Sequence, residues 1–272
     1  MYSDFEQPII KCSIFYYDTE YNKHTAERVI DILEKYNFFP PEKFYAEGLT
    51  KNRFIRTSEQ TKEVMIQAYN KKDVFGVDMS SGDSRKVIDY WRVEWNFTFH
   101  KSKKTIDSTF KPWNILSIHS THGRFNDPLM YEVYFDCIKE LIKFLDPFYA
   151  SVDDVDNKVK LMDLTGETHF VPKRIQQIYW GNYFGAIHCE SFGYDKVCNI
   201  PAKNVEKIGA GVFFTLTDHV LEYDSIKCKR ERRRIKKQRI CGAIHRCVPC
   251  HLGHVRLCTL PSVVLTRRSL SF

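Results

Sequence analysis

Residues 87–99 read VIDYWRVEWNFTF, and Val87, Asp89, Trp91, Val93, Trp95, Phe97 and Phe99 fall on one side of the run. Period-two alternation over this length does not fit a helix, whose apolar residues recur every three or four positions. It describes a strand with one face buried and the other wetted, the habit of antiparallel sheets. Such a strand needs neighbours. WNILSIHS, reached through the polar HKSKKTIDSTFKP, supplies the next one. IIKCSIFYY (Ile9 to Tyr17) is rich in β-branched and aromatic residues and makes another, with a short strand at DVFGVDMS and an extended stretch at RIQQIYWGNYFG. NVEKIGAGVFFTLTD reads as strand, glycine turn, strand, with Gly209 and Gly211 in the turn.

Helical spacing appears in three places. TAERVIDILEKY places Ala26, Val29, Ile30 and Leu33 on one stripe, and Pro40 and Pro41 follow it. SEQTKEVMIQAYNKK does the same with Val64, Met65 and Ala68. DPLMYEVYFDCIKELIKFLDP carries an Asp127 cap, Pro128 at the first helical position and a buried stripe of Met130, Tyr134, Cys137, Ile138, Leu141 and Leu145. The predicted fold class is α+β: a largely antiparallel sheet with two or three helices packed on it, followed by a basic Cys/His-containing C-terminal tail.

Charge divides the chain of 272 residues at Ile226. Residues 1–226 hold 28 Lys and Arg against 33 Asp and Glu, whereas residues 227–272 hold 13 against the single Glu231. Lysine dominates before the boundary and arginine after it. The reading is one α+β domain over 1–226 and a compositionally distinct, poorly ordered tail over 227–272. KRERRRIKK would bind phosphate with strong salt dependence, and the alternative reading is a nucleic-acid-binding protein that uses this run with a zinc site in the tail, but the acidic body keeps nucleic acid from being the expected partner. In the tail, Cys247 and Cys250 have the spacing of a zinc half-site that His251, His254 or Cys258 would complete. That knuckle is compressed and offers more ligands than places. No cofactor is assigned, and deletion of residues 240–272 is expected to leave folding intact.

Phosphate-cradling, nucleophile-elbow and metalloprotease motifs are missing, and the expectation is a protein that is not an enzyme. DDVDNKVKLMDLT lacks the glycine and the closing glutamate of a calcium loop and reads as a solvated acidic loop. His119 and His122 read as turn histidines, and the adjacent His188 and Cys189 carry little weight because catalytic partners meet in space. With no secretory leader and no apolar run long enough to span a membrane, the expected location is cytoplasmic, with reduced thiols.

QQIYWGNYFGAIHCESFGYDKVCNIPAKNVEKIGAGVFFTLTDHVLEYDS resembles the immunity protein 52 family of bacterial polymorphic toxin systems and the related type VI secretion immunity proteins. Trp180, Asn182 and Gly185 match an aromatic W/Y-x-N-x-x-G strand. Ala202, Val205, Glu206, Gly211, Val212, Leu216 and Thr217 match the strands around the glycine turn. The resemblance covers about residues 8–226, and beyond Lys237 the sequence departs from the family. It implies a non-enzymatic cytoplasmic protein that binds a cognate toxin and occludes its active site. The acidic body suits a basic toxin by charge complementarity, and the acidic loop of Asp153, Asp154 and Asp156 and exposed aromatics such as Tyr183 are the candidate contacts. The oligomeric state stays open. Trp95 and Trp180 are expected in the core.

Overall fold

A computed structural model describes residues 9–17, 23–47, 58–70, 76–81, 90–96, 113–158, 175 and 177–238. The alternating run forms β4 (Trp91–Asn96), with Trp91, Val93 and Trp95 buried and the residues between them half-exposed. It lies inside a nine-stranded sheet of order β2-β3-β4-β5-β1-β6-β7-β9-β8. The other strands are β1 (Ile9–Tyr17), β2 (Lys43–Glu47), β3 (Gly76–Ser80), β5 (Trp113–Thr121), β6 (Tyr149–Asp154), β7 (Gly181–Phe184), β8 (Asn204–Ile208) and β9 (Gly211–Thr215). All eight pairings are antiparallel. The fold is α+β, as the patterning predicts.

Opposed residues in an antiparallel pair share a face, so the register sorts side chains across the sheet. One face carries Met79, Val93, Ile118, Cys12 and Val152 in one row and Val77, Trp95, Leu116, Ile14 and Ala150 in the next. Helices α1 (Lys23–Lys35), α2 (Ser58–Asn70) and α3 (Pro128–Leu145) cover it. Tyr69 of α2 lies against Trp95, and Phe38, just after α1, meets Trp91 edge to face. The Asp127 carboxylate accepts from the Leu129 amide at 2.9 Å, capping α3, with Pro128 in the first turn. Phe135 and Ile142 join the predicted stripe, while Met130 stays half-exposed. From α3 the Tyr134 hydroxyl donates to the Ile118 carbonyl at 3.0 Å and accepts from the Cys12 amide at 3.1 Å, which ties the helix into the centre of the sheet.

The opposite face is polar at its middle. It carries Asp78, Glu94, Ser117, Ser13 and Ser151 in one row and Arg92, His119, Lys11 and Asp153 in the next. Three short or polar helices pack on this side: α4 (Ala186–Phe192), α5 (Tyr194–Cys198) and α6 (Ile226–Lys237). Covered on both faces, β5 is buried at eight of nine positions and loses the alternation that β4 keeps.

Two sequence expectations are corrected here. The acidic stretch is no loop: 149–154 form β6, with Asp153 and Asp154 fully buried, before a helical turn at 155–158. The domain boundary at Ile226 also moves. Residues 226–237 form α6, whose Cys228, Glu231, Arg232 and Ile235 sit at the spacing of one helix face and are buried against the body. The basic run is therefore part of the fold through Gln238. Residues 1–238 hold 36 Lys and Arg against 34 Asp and Glu, which removes the acidic body expected from the first 226 residues.

Candidate functional site

Trp180 and Thr217, two of the residues that carry the family resemblance, meet at a junction where β6, β7, β9 and α6 converge. Trp180 is fully buried, and its indole N–H donates to Thr217 Oγ1 at 2.7 Å. Its backbone amide donates to Asp153 Oδ2 at 2.9 Å. The Asp153 carboxylate also accepts from Asn157 Nδ2 at 2.8 Å and from the Asp154 amide at 2.9 Å. Arg232 of α6, itself buried, approaches Oδ2 at 3.5 Å. Burial still lifts the Asp153 carboxyl to about 6, against the pull of Arg232 and the Asn157 and Trp180 donors. Lys158, burial-depressed to about 7, donates to the carbonyl and the hydroxyl of Ser151, both at 3.1 Å.

The other motif positions have structural reasons as well. Asn182 bridges to the amide and the carbonyl of Tyr179, both at 3.0 Å, and shapes the entry into β7. Gly185 donates to the Phe148 carbonyl at 3.0 Å, and its own carbonyl accepts from His188 and Cys189 at the start of α4. Gly211 lies under the Tyr183 ring, where a Cβ would come within 2.5 Å of the hydroxyl. Trp180, Asn182, Gly185, Gly211, Val212, Leu216 and Thr217 are a buried scaffold, whereas Val205 and Glu206 of the same motif lie exposed on the strand β8.

This placement changes the contact residues expected from sequence. Asp153 and Asp154 are buried, and so is Tyr183, whose hydroxyl donates to the Ile208 carbonyl at 3.2 Å. None of the three can touch a partner without unfolding the junction. Asp156 is exposed. Cys247, Cys250, His251, His254 and Cys258 lie outside the described residues. Among the described residues no group of three or more His, Cys, Asp or Glu could hold a metal ion. No described helix is long and apolar enough to cross a membrane.

The polar face of the sheet holds a second cluster. Arg92 grips Asp78 through two nitrogens, Nε at 2.9 Å and Nη2 at 2.5 Å, and reaches Glu94 at 2.8 Å. Glu94 also receives Lys11 and His119 Nε2, each at 3.2 Å. Burial alone would raise the Glu94 carboxyl, but His119, Lys11 and Arg92 hold it well below the usual carboxylate range. Burial drives His119 down to about 4, although Glu94 pulls the other way. The imidazole is therefore neutral at pH 7, in a charge-balanced network rather than the turn expected of it. His122 follows in a 3₁₀ turn and comes within 3.2 Å of Asp154 Oδ2.

A folded-state pKa below the unfolded value makes His119 an acid-sensitive element. Between pH 6.5 and about 4 the unfolded chain binds a proton there that the folded chain refuses, so stability falls as pH falls through that window. His119→Gln is expected to remove up to about 3 kcal/mol of this pH-dependent loss. Asp153 titrates in the opposite sense in both proteins and cancels in the comparison. Urea unfolding of both proteins at pH 7 and pH 4.5 measures the effect, and parallel pH profiles would refute it.

His188 and Cys189 are not a reacting pair. His188 Nδ1 donates to the Phe148 carbonyl at 2.7 Å, and Cys189 Sγ donates to the Phe184 carbonyl at 3.2 Å. Burial pushes the Cys189 thiol up to about 11, far from a thiolate at neutral pH.

Two open features among the described residues lie at the surface. A groove of about 770 Å³ runs between α1, α3 and the end of β8. The outer side of α6 presents Lys229, Arg230, Arg233, Arg234 and Lys237 around a smaller hollow of about 510 Å³ beside the exposed Ile226. Sequence reasoning missed the groove because its residues come from three elements far apart in the chain.

The arrangement defines a class: an α+β protein with a nine-stranded antiparallel sheet, a structural C-terminal motif and its openings at the sheet edge and on α6. No protein-family model and no curated protein sequence matches the chain. Its fold is similar to that of the Pseudomonas aeruginosa T6SS protein PA0821, with a TM-score of 0.57 and 11% identity over 86% of this chain and 75% of that one. At that identity the likeness is one of fold.

Proposed function

We propose that this protein is an immunity protein that binds and neutralises a toxin of a type VI secretion or related polymorphic toxin system, acting by occlusion rather than as an enzyme. The observation that supports this most is the agreement of two independent likenesses. Trp180, Asn182, Gly185, Gly211 and Thr217, from the motif that resembles the immunity protein 52 family, are all buried along β7, from the Trp180 junction to Gly185. The fold around that junction is similar to that of a T6SS protein. Net charge gives no support to attraction for a basic toxin, because residues 1–238 are close to neutral.

The test is co-expression of the tagged full chain with the C-terminal domain of the polypeptide encoded next to its gene. The expected result is a stoichiometric complex and rescue of growth from that domain's toxicity. Rescue without a complex would point to an enzymatic antidote, and neither rescue nor complex would sink the immunity reading.

A further inference from the structure

Among the described residues β8 is the last strand of the sheet, and an edge strand leaves one row of backbone groups without a ladder partner. The neighbouring ladders show which groups these are. Leu216 donates to the Trp180 carbonyl at 2.9 Å, so Val212 and Phe214, in register with it, bond towards β7. Phe213 and Thr215 therefore bond towards β8, where they face Glu206 and Asn204. Val205 and Lys207 are left with both N–H and C=O turned to the open edge. Among the described residues no hydrogen bond takes up these four groups. Residues 204–207 are exposed, Val205 to 38%.

The groove beside this edge is basic. Arg28, Lys35, Lys139, Lys143 and Lys207 line it against three carboxylates. Glu140 already holds Arg28 at 3.2 Å and Lys35 at 2.5 Å, and Glu206 holds Lys139 at 2.7 Å. Lys143 and Lys207 face no carboxylate among the described residues, and Lys207 lies over the Tyr194 ring at 5.2 Å.

A second copy of the chain fits this edge poorly. Antiparallel self-pairing through Val205 and Lys207 has three registers. They set Lys203 opposite Lys207, Glu206 opposite Glu206, or Lys207 opposite Lys207, and like charges directly opposed destabilise a strand pair. A partner strand avoids this repulsion when it sets an acidic side chain opposite Lys207 and an uncharged one opposite Glu206.

We propose that β8 and the adjoining groove are a strand-addition site for an extended, acidic segment of the toxin, a reading that rests on the immunity function above. The added strand pairs with Val205 and Lys207. Its side chain opposite Glu206 is uncharged, a carboxylate one pair further along that face points towards α3 and Lys143, and a carboxylate opposite Lys207 meets that ammonium on the other face.

The experiment measures affinity of the purified full chain for the neighbouring toxin domain, with three variants. Val205→Pro deletes an outward N–H and nothing in the sheet, a substitution that edge strands tolerate. Lys143→Glu reverses a groove charge, and Lys43→Glu on the far edge strand β2 is the control. Val205→Pro and Lys143→Glu are each expected to weaken binding about tenfold, with Lys43→Glu unchanged and melting temperatures preserved. Should Val205→Pro melt lower, the wild-type amides of Val205 and Lys207 decide, since strand addition slows their hydrogen exchange in the complex. Wild-type affinity in both variants with unchanged exchange at those amides would overturn the edge site and leave the immunity reading standing. No binding by the wild-type chain would overturn both.

Discussion

Arg232→Met should destabilise the protein by about 3 kcal/mol at pH 8 and by clearly less at pH 5. The substitution keeps a long apolar stem in the face of α6 and removes only the guanidinium beside Asp153, which is fully buried. Without that charge, burial lifts the Asp153 carboxyl further than the value near 6 it holds beside Arg232. A carboxyl whose folded pKa lies above its unfolded one stabilises at low pH and loses that contribution as pH rises through the folded pKa. The penalty of the variant must therefore grow between pH 5 and pH 8. Urea unfolding at both values measures it, and adding Asp153→Asn should recover most of the loss at pH 8. Equal losses at the two pH values would mean that α6 contributes packing and that the ion pair contributes nothing. The result also bears on truncation: a chain ending at Ser225 lacks Arg232 and is expected to be at least as damaged.

Gly185→Ala is the second large effect, at about 3 kcal/mol. The backbone at Gly185 is ordinary extended structure, with φ of −72°, so alanine meets no torsional obstacle. The obstacle is space. An added Cβ would stand 2.2 Å from the Pro147 carbonyl oxygen and 2.9 Å from Phe148 Cα, both backbone atoms that cannot swing aside. Gly209, at the turn between β8 and β9, is the reverse case: φ is +56°, and a Cβ added there would meet nothing within 4 Å. Gly209→Asn is accordingly expected to cost well under about 1 kcal/mol, because asparagine tolerates the left-handed region. Thermal melts of the two variants test the contrast, and equal losses would show that the tight approach at Gly185 relaxes.

The sheet was legible where one face is wet. β4 has to be a half-buried strand because its apolar residues recur every second position, and α3 has to be a helix because its cap, its first-turn proline and its stripe agree. β6 was not legible. Three carboxylates within four residues look like solvent in the sequence, and the donors that let Asp153 be buried come from Trp180 and Arg232, 27 and 79 positions away. The same holds for α6, whose eight cations read as a tail until Arg232 is seen against Asp153. Trp95 and Trp180 were expected in the core and are there, because large aromatics in alternating or motif strands have few other places to go.

The candidate contact surface divides in the same way. Tyr183 and the acidic residues were attractive from composition, yet the first packs against Gly211 and two of the three acids lie inside the junction. The edge at β8 depends on strand order and hydrogen-bond parity, which no local pattern encodes. By itself the sequence determined the secondary structure of its strongly periodic segments, the α+β class and the scaffold motif, since these follow from the spacing of neighbouring residues. Only the tertiary structure decided which charges are buried, that residues 226–237 pack as part of the body and which backbone groups of β8 stay open among the described residues, because each depends on partners brought together from distant parts of the chain.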